Sequence, residues 1–312
     1  MSHGFAGVIP ILPTPFHDDG TLDVQSLDRL VRFNVAVGVN AVIVLGQDDD
    51  GVHLLPDERS EVVRVAYSAA GQTPIIAGVP NGASAGAAGR QALDLGAAAV
   101  AVAPMIDESP TSESVVEHFD RVQSAVSGPI VLLDNPTNSR VHLPVDIVLR
   151  LVREFPSIVS VRMQNLANPA RVATLRNGLS HRAVTILTGL GALWGLLDLE
   201  RGADGFNAAF AFPEVLLAVL GQFRTNNRSG ARQIFTKYLP LIAFEQQAST
   251  VVQREMLQSR GLIASARVRN PSARVDQDAS AQLADLFDAI FPGEDIGRPL
   301  DASASRPFLV NI

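Results

Sequence analysis

The sequence predicts an α/β fold, a closed (β/α)8 TIM barrel followed by a C-terminal helical subdomain. Short β-branched runs alternate with amphipathic helices eight times through residue 226, the pattern of a parallel sheet wrapped by helices. Most of these runs are apolar without alternation, as strands buried on both faces must be. The chain has 312 residues, a length that suits one such barrel with an appendage.

Taken in order, the strands are expected at 8–12, 41–45, 74–78, 98–103, 130–133, 158–162, 185–188 and 204–207. Pro56 opens a helix over 56–70 at a first-turn position, and Asp57 and Glu58 follow where the helix dipole favours acids. The stretch Gly82-Ala83-Ser84-Ala85-Gly86 reads as a helix start, because it does not follow a strand as a phosphate cradle would. Pro144 opens another helix, in which Ile147, Leu149, Leu151 and Val152 form the apolar face and Arg150 and Arg153 point outward. After Asn226 the rhythm changes to helices alone, at 230–246, 250–260 and 279–291. The expected organisation is therefore a barrel over 1–226, a helical subdomain over 227–292 and a tail over 293–312. The apolar end of the tail, Phe308-Leu309-Val310, is a candidate for docking on a neighbour.

With 47% hydrophobic and 18% charged residues, the chain carries ample material for one large core. A net charge of −7 and scattered arginines leave no electrostatic footprint for nucleic acid. The longest clean apolar run, 95–106, falls far short of the roughly 20 residues of a membrane span. The start, Met1-Ser2-His3-Gly4, lacks a charged-then-apolar leader, so a cytoplasmic protein without membrane partners is expected. With no cysteine, disulfides, thiolate metal sites and a cysteine nucleophile are excluded.

Barrel enzymes build their sites at the carboxyl ends of the strands. Position alone nominates Thr14, Gln47 to Asp50, Asn81, Asp107, Asp134, Asn135, Arg162, Gln164, Thr188 and Asn207.

Several segments resemble the dihydrodipicolinate synthase and N-acetylneuraminate lyase family. They are Pro13-Thr14-Pro15-Phe16, Gly46 with Leu54-Leu55-Pro56-Asp57-Glu58-Arg59, Leu132 to Pro136, Gly202 to Gly205, and Gly261-Leu262. The resemblance spans nearly the whole chain. It implies a lyase or aldolase that condenses or cleaves 2-oxo acids through an imine on a lysine at the end of strand six, commonly as a dimer of dimers. At that position this chain has Val161-Arg162-Met163, and its only lysine is Lys237. Arginine cannot take over the chemistry, because its guanidinium stays protonated and imine formation needs a neutral amine lone pair.

The other family positions change as well. The relay tyrosine of strand five corresponds to Leu133 or, one residue on, Asp134. The hydroxyl pair after the strand-two glycine becomes Gln47 and Asp48. The strand-four tyrosine corresponds to Met105 or Ile106. The carboxylate-binding arginine aligns with Asn138, with Arg140 two residues away.

The run Gln47-Asp48-Asp49-Asp50-Gly51 puts three carboxylates at one strand end, where neighbouring anions must be paired, protonated or bound to a cation. Three readings follow. Asp48, Asp50 and Asp134 could hold a divalent cation such as Mg²⁺. Arg162 could form a structural ion pair with Asp48 or Asp134. Alternatively, Arg162 holds a substrate carboxylate or phosphate bidentately while an aspartate is the general base. Under the last reading Arg162, Asp134 and Asp48 are the catalytic set, and Gln47, Asp50, Asn135, Arg140, Gln164 and Asn207 bind substrate, with no cofactor required. Among the histidines, His53 is nearest the strand ends; His142 follows strand five, and His118 and His181 read as helix or surface positions.

Two functions remain open. One is an enzyme of this superfamily acting on a small 2-oxo or hydroxy acid without an imine. The other is a non-catalytic member that binds a metabolite or regulates an active paralogue. Both are expected to be homo-oligomers, dimers or tetramers, by resemblance.

Overall fold

A computed structural model of the chain describes residues 4–46, 53–105, 110–164, 168–179, 182–269 and 277–302. The barrel consists of β1 (Gly7–Val8), α1 (Val24–Ala36), β2 (Val42–Val44), α2 (Pro56–Ala70), β3 (Ile75–Gly78), α3 (Ala85–Asp94), β4 (Ala99–Val102) and α4 (Ser112–Ala125), continuing through β5 (Ile130–Asp134), the short α5 (Pro136–Ser139), α6 (Val145–Glu154), β6 (Ile158–Met163), α7 (Asn168–Gly178), β7 (Thr185–Thr188), α8 (Gly195–Glu200) and β8 (Gly205–Phe206). Beyond these lie α9 (Pro213–Arg224), α10 (Arg228–Ser259) and α11 (Gln277–Ile290).

All eight strands are parallel, in the order β1-β8-β7-β6-β5-β4-β3-β2. The ring closes where Ile11 bridges Ile43 in parallel, with the Leu12 amide donating to the Ile43 carbonyl and the Ile43 amide to the Pro10 carbonyl. The first strand is thus only two residues of regular ladder, extended by this bridge, where 8–12 was expected. Gly205 makes the β8–β1 join possible, because a Cβ there would overlap the backbone of Gly7.

Alternation of side chains divides the core into two layers. Ile9, Ile43, Ile76, Val131, Leu133 and Leu187 fill the inside of the ring. Leu132, Val161, Met163 and Ile186 face outward onto the helices.

The expected pair of helices at 230–246 and 250–260 is a single 32-residue helix, α10, which runs through Pro240. A proline inside a helix removes one hydrogen bond, and the apolar face of α10 compensates by burying Tyr238, Leu241, Ile242, Val252 and Met256. An aromatic cluster of Phe212, Tyr238, Phe287 and Phe291 ties α10 and α11 to the start of α9. The buried Arg260 holds Glu214 at 2.6 Å and also lies over the Phe212 ring. No helix among the described residues is long and apolar enough to cross a membrane.

Candidate active site

Arg162 sits on β6 in register with Leu133 of β5 and Leu187 of β7. Both neighbours belong to the inner layer, while Val161 and Met163 belong to the outer one, so the Arg162 side chain enters the ring. It is 2% exposed, and its Nε donates to the Asn207 carbonyl at 3.2 Å. Asn207 in turn donates through Nδ2 to the Ile9 carbonyl at 2.6 Å and through its amide to the Thr188 carbonyl. Arginine, β8 and β1 are thereby linked at the carboxyl end of the barrel. The Oδ1 of Asn207 and the Oε1 of the nearby Gln164 have no hydrogen-bond partner among the described residues.

The turn after β7 closes over this arginine. Gly189 is required there, because an added Cβ would lie 2.9 Å from the Met163 carbonyl oxygen and 3.3 Å from Arg162 Nε. Leu190, Gly191 and Ala192 then follow with φ of 52°, 58° and 71°. Left-handed backbone costs a non-glycine residue on the order of 1 kcal/mol, and such conformations persist only where the surroundings impose them. Leu45, at the end of β2, has φ 58° as well. Strain therefore concentrates at the strand ends.

Asp134 takes the opposite direction from Arg162. It follows the inward Leu133 on β5, so it faces the helices, where its Oδ2 accepts from Arg171 Nη2 of α7 at 2.6 Å. The same Nη2 donates to the Leu143 carbonyl at 2.7 Å. An ion pair between Asp134 and Arg162, one of the sequence-based expectations, is therefore corrected: strand parity separates them, and Arg171 is the partner. Burial pushes the Asp134 carboxyl above its ordinary range, outweighing the pull of Arg171. Thr188 also faces outward, donating to Asp198 Oδ2 at 2.5 Å; the buried Asn168 reaches the same oxygen at 3.1 Å.

Asn135 and Thr14 are buried at the strand ends. Arg140 is exposed on the loop after α5, with left-handed backbone at φ 56°. His53 and His142 are exposed. His118, expected on a helix or at the surface, is on α4 but buried against the Ala103 carbonyl at 3.1 Å, and burial lowers its pKa. Gln47, Asp48, Asp49, Asp50, Ile106, Asp107 and His181 lie outside the described residues. Among the described residues no three His, Cys, Asp or Glu side chains cluster to hold a metal ion.

Lys237 lies on α10, with Nζ 3.8 Å from Glu294 Oε1 and 5.0 Å from the centre of the Tyr238 ring. Sequence reasoning missed Glu245, Gln253 and Arg254, all buried on α10. Gln253 and Arg254 reach barrel residues some 240 positions away in sequence and Glu245 reaches Ala211, and no motif marks any of the three.

A parallel eight-stranded barrel with polar groups buried at its carboxyl end defines an α/β barrel of the enzyme kind, with its candidate site where such barrels build theirs. This chain belongs to the dihydrodipicolinate synthetase family, whose sequence profile matches residues 4–290. It is 27% identical over 287 residues to the L-2-keto-3-deoxyarabonate dehydratase of Azospirillum brasilense, covering 89% of this chain and 92% of that protein. It is 31% identical over 243 residues to the 4-hydroxy-tetrahydrodipicolinate synthase of Chlorobium luteolum, covering 74% of this chain and 79% of that enzyme. Among solved structures, the dihydrodipicolinate synthase of Rhodopseudomonas palustris superposes with a TM-score of 0.86 at 32% identity, over 91% of this chain and 97% of that one.

Proposed function

We propose that this chain acts on a small 2-oxo or hydroxy acid as a lyase- or aldolase-like enzyme that works without a lysine imine. The observation that carries the reading is Arg162, which occupies the inward position at the end of β6 where the resemblance implies an imine lysine. A guanidinium cannot form an imine, but its planar fork suits a carboxylate bidentately. Asn207, Gln164 and Asn135 supply further polar groups at the same end of the barrel, and Arg140, Gln47 and Asp50 complete the substrate-binding set by sequence position. The general base is assigned to Asp48, by sequence position. Asp134 acts as a positioning residue, since its carboxylate is engaged by Arg171 behind β5. The relatives named above, a dehydratase and a synthase, support substrates of this size and kind.

The test has two arms. Borohydride reduction in the presence of pyruvate leaves the mass of the protein unchanged, whereas a reduced adduct would overturn the reading. A screen of 2-oxo and hydroxy acids finds turnover that Arg162→Ala abolishes. Binding across the screen with no turnover would instead identify a non-catalytic, metabolite-binding member of the family. The same proposal takes the protein as a cytoplasmic homo-oligomer, which light scattering of the purified chain checks for assembly.

A further inference from the structure

The helix α10 is anchored to the carboxyl end of the barrel at three places. Gln246 packs against Gly191 in the turn after β7. Gln253 Nε2 donates to the Ile11 carbonyl at 3.1 Å, and Arg254 Nη1 donates to the Thr14 carbonyl at 2.7 Å, both just past β1. The sector that α10 covers thus runs from β7 through β8 to β1. Arg162 meets Asn207 in that same sector.

Glu245 stands at the head of this crossing, immediately before Gln246, and is 1% exposed. Its carboxyl accepts the backbone N–H of Ala211, two residues beyond Ala209, which packs against the inner layer of the barrel. The remaining oxygen, Oε2, has no hydrogen-bond partner among the described residues. A charge buried this deeply without a counterion is strongly unfavourable, and burial pushes this carboxyl well above the ordinary glutamate range. In the neutral form one oxygen carries a proton, and a buried O–H without an acceptor is itself costly.

We propose that Glu245 is a specificity-determining residue: its carboxyl O–H, next in sequence to the Gln246 that packs on the turn after β7 and held by the Ala211 amide in the segment after β8, donates to the oxo or hydroxyl oxygen of an acid whose carboxylate rests on Arg162. The inference rests on the reading of Arg162 as the carboxylate anchor. A ligand with that oxygen satisfies the buried donor. A ligand without it leaves the donor orphaned, and sites built to hydrogen-bond a substrate oxygen discriminate sharply on that ground.

Titration calorimetry of the full chain with pyruvate, lactate and propionate tests this, because the three share a carboxylate and only propionate lacks the second oxygen function. The wild type binds pyruvate and lactate about tenfold more tightly than propionate, the scale of one lost hydrogen bond. E245Q keeps the preference, because its amide N–H replaces the O–H in the same place. E245L loses the preference and binds all three alike to within about twofold. E245M, an unbranched variant of similar size, gives the same result if E245L does not fold. Wild-type binding without preference, or a folded E245Q without it, overturns the proposal. If R162A binds all three probes as the wild type does, the carboxylate anchor fails and takes the proposal with it. If R162A loses binding while E245L or E245M keeps the tenfold preference, only the assignment of Glu245 falls.

Discussion

Arg171 Nη2 lies 2.6 Å from Asp134 Oδ2, and this contact directs the last carboxylate of β5 toward α7 rather than into the ring. The Asp134 side chain is fully buried and that of Arg171 is 18% exposed. Removing the cation strands a buried carboxylate, whereas neutralising the acid does not. Arg171→Ala is expected to lower stability by about 3 kcal/mol, the usual cost of breaking a buried pair from one side. Asp134→Asn costs about 1 kcal/mol, as a hydrogen bond remains available. Urea denaturation of the two variants checks the order; equal losses would contradict it.

Restoring an amine at the end of β6 separates the nucleophile from its relay. Arg162→Lys is expected to trap pyruvate under borohydride, as the wild type does not, because the amine enters the ring between Leu133 and Leu187. No gain in turnover accompanies trapping, since the inward neighbour on β5 is Leu133, which moves no proton. Intact-mass spectrometry alongside an activity screen reads both effects.

Gly189→Ala places a methyl 2.9 Å from the Met163 carbonyl oxygen and 3.3 Å from Arg162 Nε. Overpacking at a site this close costs about 1–3 kcal/mol. The variant is expected to melt at a lower temperature and to bind pyruvate more weakly, through displacement of the guanidinium. Unchanged binding in a folded variant would show that the turn after β7 does not position Arg162.

Stability should fall with rising pH through Glu245. Its folded-state pKa is raised well above the ordinary value of 4.5 by burial. The folded state therefore binds the proton more tightly than the unfolded state, and the contribution is fully present below 4.5. It is lost progressively as the pH climbs toward the raised folded value. E245Q, neutral at every pH, lacks this loss, so its melting temperature relative to the wild type should increase from acid toward neutral pH. A difference that stays flat would place Glu245 as a charged group.

Much of the scaffold is legible in the chain itself. The apolar runs at 74–78 and 130–133 announce strands buried on both faces, and they appear as Ile75–Gly78 and Ile130–Asp134. Pro56 with Asp57 and Glu58 announces the start of α2, where Glu58 bonds back to the Leu55 amide. The failures have physical causes. The polar stretch between 246 and 250 reads as a break between two helices, but packing along the barrel end holds α10 continuous. His118 reads as a helix or surface position and is on α4, but only the docked barrel shows that it lies on the buried stripe of that helix.

The sequence by itself determined the barrel and the absence of an amine nucleophile in strand six. Both are properties of residue type and spacing: period, β-branching and a guanidinium that cannot deprotonate. Only the tertiary structure decided which charges meet. Asp134 is the last residue of β5 and Arg162 the last but one of β6, and that one-residue difference in parity sends the first to Arg171 and the second into the ring. Glu245 reaches that end through α10, a helix whose placement is fixed by hydrogen bonds to Ile11 and Thr14 at the far end of the chain. Local pattern carries no information about contacts made across such separations, because they are set by how the finished layers pack.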